Sequence, residues 1–124
     1  MTKEEFESRL HALESEYAAL QSQLSEKHKE KHAHYREMAQ SLCERYKQYD
    51  GKRVRVTFEH TERNCLPSRK VCEGFWQGFE FKHNYHTNIY PTLFEIKKDG
   101  TPSKVAFSEW DVRPWDEIVS VEEV

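Results

Sequence analysis

The chain has 124 residues, a length that suits one ordinary domain, or one small domain joined to an extended element. Hydrophobic residues make up 36% and charged residues 33% of the chain, a balance that suits an exposed helix better than a thick globule. The aromatic content of 13% is too high for a disordered chain and predicts folding around aromatic side chains. The net charge of −3 argues against a general polyanion binder. Residues 51–105 carry ten Lys or Arg against six Asp or Glu, whereas residues 106–124 carry one against six, so the second half could present one basic and one acidic side.

Features that would direct the chain to a membrane or a secretory route are missing from the sequence. No apolar run approaches the roughly 20 residues that cross a bilayer, and the N-terminal "MTKEEFESRL" lacks the order of a signal peptide. The three cysteines, Cys43, Cys65 and Cys72, form no framework spacing, which predicts reduced thiols. We therefore expect a cytoplasmic protein with no membrane partner.

Residues 1–50 have the pattern of one long helix. Thr2 and Glu5 form a capping box, Gly51 suits the position after a helix, and no Pro or Gly interrupts the segment, so a helix over residues 3–49 is predicted. Apolar residues recur in steps of four and three, which is typical of a coiled-coil seam. The seam begins with Phe6, Leu10, Leu13, Tyr17, Leu20 and Leu24.

Beyond Leu24 the seam continues only through a stutter, which locally unwinds a supercoil. The residues that continue it are His28, Lys31, Tyr35, Met38 and Leu42. Such a helix would be about 70 Å long and needs a partner. We expect a homo-oligomeric coiled coil. Its oligomerisation seam would contain the six residues from Phe6 to Leu24 together with His28, Tyr35, Met38 and Leu42. A helical hairpin that bends near residues 25–34 is the alternative.

The polar middle of this helix, "SEKHKEKHAHYRE", raises the question of a metal site. His28 and His32 share one face, but His34 lies about 200° from His32 around the helix. Two ligands do not make a zinc site, so we interpret the segment as a solvated stutter and expect neither metal nor cofactor. Two alternatives remain, a metal shared across a parallel dimer and a basic strip that touches phosphate.

From Gly51 onward the hydrophobic period changes to two. In "KRVRVTF", Val54, Val56 and Phe58 form one face, and Arg53 and Arg55 the other, which predicts a strand. The segments "VCEGFWQGFEF", "TLFEIKK", "KVAFSEW" and "EIVSVEEV" predict four more strands, and the glycines of the first mark a bulge or close crossing. The predicted fold class is α+β, with a helical coiled-coil domain over residues 1–50 and a small, closed, five-stranded SH3-like or OB-like β-barrel over residues 51–124.

Two short motifs in the second half resemble the signatures of Sm-like proteins. The first, in "GFWQGFEFKHN", comprises Gly74, Gly78, Phe79, Glu80 and Asn84, and the second, in "DVRPWDEIVSV", comprises Val112 and Arg113. The resemblance implies subunits that form rings and hold single-stranded RNA, with Asn84 and Arg113 lining a nucleotide pocket. The chain departs from the family at Glu80, where Asp is usual, at Lys82, where a base-stacking residue is usual, and at Pro114, where Gly is usual; "NYHTNIYP" is interpreted as an insertion.

Ten aromatic residues lie between Phe75 and Trp115, more than one small barrel can bury. If Phe75, Phe79 and Phe81 face inward, Trp76 faces outward. We then expect Tyr85, Tyr90, Trp110 and Trp115 at strand ends or in loops. Exposed aromatic side chains beside cations can stack on bases or anchor a protein partner; alternatively, Trp110 and Trp115 pack the barrel against the helix.

Motifs of catalysis are missing, so we expect no enzyme activity. His60, Cys65, Cys72, His83 and His86 contain a possible metal-ligand set without the short knuckle of structural zinc sites, and Asp116 and Glu117 are interpreted as solvated turn residues. The function expected first is an oligomeric adaptor or inhibitor whose barrel binds a protein partner. The alternatives are a single-stranded nucleic-acid binder and a small-molecule receptor with a pocket between subunits. The predicted binding residues are Arg53, Arg55, Trp76, Lys82, Asn84, Tyr85, Trp110, Arg113 and Trp115.

Overall fold

A computed structural model describes residues 1–62, 64–83 and 86–124. Helix α1 spans Lys3–Arg45, and five strands follow: β1 Arg53–His60, β2 Ser68–His83, β3 Thr87–Ile96, β4 Pro102–Ala106 and β5 Ile118–Glu123. Short 3-10 turns occupy Lys47–Tyr49 and Trp115–Glu117. The predicted α+β class, one long N-terminal helix followed by a five-stranded antiparallel sheet, is confirmed. The chain divides into two compact units, residues 1–34 and residues 35–124.

The start of helix α1 confirms the predicted capping box. The backbone N–H of Glu5 donates to Thr2 Oγ1 at 3.1 Å, and the Thr2 nitrogen lies 3.4 Å from Glu5 Oε2. The helix runs without a break through residues 25–34, so the hairpin alternative is wrong. That segment holds no Gly or Pro, and its many Lys and Glu residues are good helix formers. The α-helix ends at Arg45, four residues earlier than predicted.

The first unit, residues 1–34, is helical and leaves its apolar residues in solvent. Their exposed fractions lie between 43% and 63%. These side chains are Phe6, Leu10, Leu13, Tyr17, Leu20 and Leu24, which we call the apolar stripe. Burial of an amphipathic face supplies most of a helix's stability, and the single chain leaves this stripe without that burial.

The five strands of the second unit form one open sheet. The strand order is β4-β3-β2-β1-β5, so β4 and β5 are the two edges. The prediction of a closed barrel is therefore wrong. Strand β4 is five residues long and pairs with β3 at Phe94–Ala106 and Ile96–Pro102, while β5 pairs with β1 at the opposite edge. Among the described residues, no ladder joins these two edges.

The start of β3 corrects another expectation from the sequence. Residues 87–91, interpreted as part of an insertion, form the first half of β3 and pair with the end of β2. Pro91 lies opposite Phe79, beside an irregularity between Trp76 and Phe79, where the ladder is already interrupted and a missing N–H is tolerated. Asn84 and Tyr85, in the same segment, lie outside the described residues.

The irregularity in β2 also explains why Trp76 does not face outward. Trp76 is 0% exposed and Phe79 8%, and their rings meet edge-on at 5.2 Å. In a regular strand, residues three apart point to opposite faces, but a bulge shifts this alternation by one residue. The prediction that Trp76 faces outward is therefore wrong: its indole packs against Tyr46 and Tyr49 in the core.

The end of helix α1 covers the sheet within the same chain. Leu42 is 1% exposed, and Tyr35 and Met38 are partly buried against the core. The prediction of Leu42 as a residue of an intermolecular seam is therefore wrong, because its side chain is buried within its own chain; for the partly exposed Tyr35 and Met38 it stays a prediction. Ala39 and Cys43 also pack toward the core, so the buried face of residues 35–43 is as broad as that of a helix in a globular protein. The apolar residues before residue 35 have the narrower spacing of a coiled-coil seam.

Cys43 contacts the bulge directly. Its Sγ lies 3.2 Å from the backbone nitrogen of Phe79 and 3.5 Å from the Phe79 carbonyl oxygen. Gly78 has φ +92°, a conformation that favours glycine, and a Cβ added there would lie 3.0 Å from this sulfur. The helix and the bent strand thus approach each other at a position where no side chain fits without movement.

Candidate functional site

Two neighbouring cavities open on the second unit and share Trp110 and Arg113 in their walls. Their volumes are about 450 Å³ and about 200 Å³. The larger cavity is also lined by Tyr90 and Glu109, and the smaller by His60 and Lys70. Together we call them the Trp110 cleft.

The turn that carries Trp110 is fixed by hydrogen bonds to its own residues and to β2. Asp111 accepts hydrogen bonds from the backbone N–H of Ser108 at 3.2 Å and from its hydroxyl at 2.9 Å. Lys70 Nζ donates to the Trp110 carbonyl oxygen at 2.9 Å, and Cys72 Sγ donates to the Asp111 carbonyl oxygen at 2.9 Å. Trp110 itself is 64% exposed, so an anchored backbone presents a large aromatic side chain to solvent.

Arg113 lies in the wall of the cleft within a network of charges. Its Nη2 donates to Glu117 Oε1 at 3.0 Å and to Oε2 at 3.1 Å. His60 Nδ1 lies 2.6 Å from Glu117 Oε1 and 3.1 Å from Arg113 Nη2. The interpretation of Glu117 as a solvated turn residue is wrong, because its side chain is only 16% exposed. The charge of Arg113 is thus matched within the chain.

Tyr90 and Glu109 both line the larger cavity. Tyr90 is 5% exposed, and burial raises the pKa of its phenol, with the negative charges of Glu109 and Glu117 adding to the rise and Arg113 opposing it. Tyr90 therefore stays neutral and able to donate a hydrogen bond at physiological pH. Glu109 Oε2 is buried and accepts no hydrogen bond from the described part of the chain. A buried carboxylate oxygen is costly to leave unpaired, so a donor that reached this atom would stabilise it.

The basic face of β1 is neutralised by acidic neighbours. Glu73 lies opposite Arg55 in the β1–β2 ladder, and its carboxylate is 2.8 Å from Arg55 Nη2 and 3.7 Å from Arg53 Nη2. The hydrogen bond from Arg55, helped by the positive charges of Arg55 and Arg53, holds the pKa of Glu73 below its usual value. Arg69 pairs with Glu59 at 3.4 Å. Phosphate groups would have to compete with these carboxylates.

The structure brings two of the predicted binding residues, Trp110 and Arg113, into one cleft. Trp76 lies in the core, Trp115 packs partly buried against it, and Lys82 is partly buried on β2. Asn84 and Tyr85 fall outside the described residues, so the placement of the Sm-like Asn is not described. Sequence reasoning did not predict His60, Lys70, Tyr90, Glu109 and Glu117 as binding residues, although it named His60, Tyr90 and Glu117 in other roles. The spacing of Arg113 and Glu117, which are four residues apart around a short turn, is a sequence signal that could have predicted their ion pair.

The histidines and cysteines show no convergent metal geometry. His28 and His32 have ring centroids 6.4 Å apart, and within residues 1–62, 64–83 and 86–124 no three His, Cys, Asp or Glu side chains form a group suited to a metal. All three cysteines are unpaired, with Cys65 exposed and Cys72 buried. The pKa of Cys72 is raised, mainly by burial, which favours the protonated thiol. A protonated thiol can donate the hydrogen bond that Cys72 makes to the Asp111 carbonyl oxygen.

Comparison with known proteins offers no relative: no family model, curated protein or solved structure matches the chain. Within the described residues, no helix is both long enough and apolar enough to span a lipid bilayer. Function is therefore inferred from two surfaces, the apolar stripe of the first unit and the Trp110 cleft of the second.

Proposed function

We propose that the chain is a non-enzymatic interaction protein that self-associates through the apolar stripe and binds a protein partner in the Trp110 cleft. The observation that carries this proposal is the stripe itself, six apolar side chains at coiled-coil spacing that are 43–63% exposed in the single chain. Self-association would join several clefts in one assembly. Linked weak sites bind a multivalent partner far more tightly than one site does.

The sheet unit is proposed to be an SH3-like module. Its strand order, β4-β3-β2-β1-β5, and its long second strand with a bulge at Gly78 support this assignment. Small sheets of this kind commonly bind ligands through the loops and strand ends that line a cleft. The turn after β4, which carries Trp110, occupies such a position.

The chemistry of the cleft favours a protein partner with a hydrogen-bond donor. Trp110 supplies a broad aromatic surface on an anchored turn, which is typical of an interface hot spot. Glu109 lines the larger cavity, and rotation of its side chain would let its carboxylate accept a hydrogen bond from a Lys, Arg or amide group of the partner. A partner segment that places this donor beside Trp110 would match both features.

Single-stranded nucleic acid is the second candidate for the cleft, because Arg113 lies in its wall. The pairing of Arg113 with Glu117, and of Arg53 and Arg55 with Glu73, argues against it. Fluorescence anisotropy of labelled single-stranded RNA at about 50 and 200 mM salt separates the two candidates. RNA binding that weakens steeply with salt would contradict the protein-partner proposal and favour nucleic acid. A small molecule bound between subunits, the third candidate, would bind only the self-associated form of the chain.

The decisive test of the cleft is affinity capture with matched variants of the whole chain. Trp110→Ala is expected to lose the captured protein, because truncating a central aromatic anchor typically costs about 2 kcal/mol or more of binding energy. Leu66→Ala removes a side chain that is 91% exposed and should leave capture unchanged. Equal capture by both variants would exclude the cleft as the binding surface.

Self-association is tested separately by light scattering. Leu13→Asp combined with Leu20→Asp places charges in the apolar stripe and should reduce the mass to that of one chain, 14.9 kDa. Ser15→Asp combined with Ser22→Asp is the matched control, since both serines lie on the opposite face of the helix. An unchanged mass for the first pair would contradict self-association through the stripe.

A further inference from the structure

Charged and polar residues border the apolar stripe on both sides. If Phe6, Leu13 and Leu20 are the d residues of a heptad, then Leu10, Tyr17 and Leu24 are the a residues. The e positions are then Glu7, Glu14 and Gln21, and the g positions are Arg9, Glu16 and Gln23; this heptad frame ends at Leu24, before the stutter that brings His28 into the seam. In paired helices these border positions meet across the interface and select the orientation of the partner.

We propose that the stripe pairs with a second copy of this chain in the parallel orientation. This inference rests on the proposed self-association and adds its geometry. In a parallel pair, each g residue faces the e residue five positions later in the partner, so Arg9 faces Glu14. Symmetry creates this attractive contact twice. Glu16 faces Gln21, so no like charges face each other across the border of these heptads.

The antiparallel orientation packs the apolar residues equally well but places like charges opposite each other at the border. It would stack Phe6 on Leu24, Leu10 on Leu20 and Leu13 on Tyr17. In that orientation e faces e and g faces g. Glu14 would then face its own copy, and Glu16 would do the same. Two acid–acid contacts would therefore replace two ion pairs.

The border residues that favour the parallel pair are available for it. Lys3 pairs with Glu7 within the helix at 4.0 Å, but none of the ion pairs formed by the described residues uses Arg9, Glu14 or Glu16. Two strands suit this border better than three or more, because larger bundles bury more of the e and g positions. In a parallel pair both chains leave the seam at the same end, so two sheet units can engage one bivalent partner.

Orientation is tested by disulfide formation in a Cys65→Ser background, which removes the exposed thiol. Leu10→Cys should oxidise to a covalent dimer, because parallel pairing sets the two copies of residue 10 opposite each other. Antiparallel pairing would set them about 15 Å apart along the axis, beyond disulfide reach. Ser15→Cys, on the outer face, is the control and should remain a monomer on a non-reducing gel.

A mixture of Leu10→Cys with size-tagged Leu20→Cys chains gives the converse test. Parallel pairing predicts no disulfide between the two variants. A strong mixed band, with no Leu10 homodimer, would overturn the parallel orientation. Equilibrium sedimentation of the unmodified chain should give twice 14.9 kDa, and a mass of three chains or more would overturn the two-stranded assignment.

Charge exchange supplies a readout that needs no cysteine. Arg9→Glu and Glu14→Arg should each raise the dimer dissociation constant about tenfold, because two attractive contacts become repulsive. The double variant should restore it. In an antiparallel pair Glu14→Arg only replaces acid–acid contacts by base–base contacts, so an absence of rescue would contradict the proposal. If Leu13→Asp plus Leu20→Asp abolishes association but the double charge variant does not restore the dissociation constant, the parallel orientation is wrong and self-association through the stripe stands. If the unmodified chain is itself a monomer, both proposals are wrong.

Discussion

The close approach of helix α1 to the bulge in β2 makes Gly78→Ala a sharp test of the fold. Gly78 has φ +92°, and an L residue held in this region costs about 1–2 kcal/mol. The added Cβ would also lie 3.0 Å from Cys43 Sγ, closer than an ordinary contact, and overpacking of this kind costs about 1–3 kcal/mol. Together we expect a loss of about 2–5 kcal/mol in the free energy of unfolding.

Gly100→Ala is the matched control for backbone strain. Gly100 has a similar φ of +86°, but nothing lies within 4 Å of an added Cβ. Its substitution should therefore cost only the strain, about 1–2 kcal/mol. Urea unfolding of both variants at equal protein concentration measures the difference, which isolates the contact with Cys43.

A double-mutant cycle with Cys43→Ala checks the cause. Removal of the sulfur should reduce the cost of Gly78→Ala to that of Gly100→Ala, so the two sites should show a coupling energy of about 1–3 kcal/mol. If Gly78→Ala were no more destabilising than Gly100→Ala, or if Cys43→Ala left its cost unchanged, the close packing of helix on strand would be refuted.

Three further substitutions test the core, the cleft and the charged face. Trp76→Ala should destabilise the chain by about 3–5 kcal/mol in urea unfolding, because its side chain is fully buried; a near-neutral result would contradict this placement. Trp110→Ala, at an exposed site, should stay within about 0.5 kcal/mol of the parent, so any loss of binding would not reflect unfolding. The pKa of Glu73 is lowered in the folded chain by Arg55, so its ion pair stabilises fully above the usual Glu pKa of about 4.3 and is lost as pH falls through the lowered value. Glu73→Gln should therefore lower stability at neutral pH and flatten the fall in stability with acid; equal acid sensitivity of the two chains would contradict this role.

Local sequence signals predicted the elements and part of the cleft. The capping box at Thr2 established the start of helix α1, whereas the absence of Gly and Pro favoured a continuous helix without excluding the hairpin, which the structure excludes. The alternation of Val54, Val56 and Phe58 established the inner face of β1, where all three are fully buried. Arg113 was predicted from a short motif, whereas its partner His60 was not, because His60 is 53 residues away and reaches it only through the sheet.

The sequence by itself determined that a long capped helix precedes short strands of period two, because caps, periodicity and turn residues act within a few positions along the chain. It also determined an apolar stripe with charged borders, since these depend only on helical spacing. Only the tertiary structure decided that Trp76 lies inside, because the bulge at Gly78 changes which residues share a face. The tertiary structure also decided the place of residues 35–50. The change of period at Gly51 assigns them to the helical domain, but they pack with the sheet in the second unit. Burial depends on the surface that the whole fold brings opposite a residue, and that surface cannot be read from local spacing.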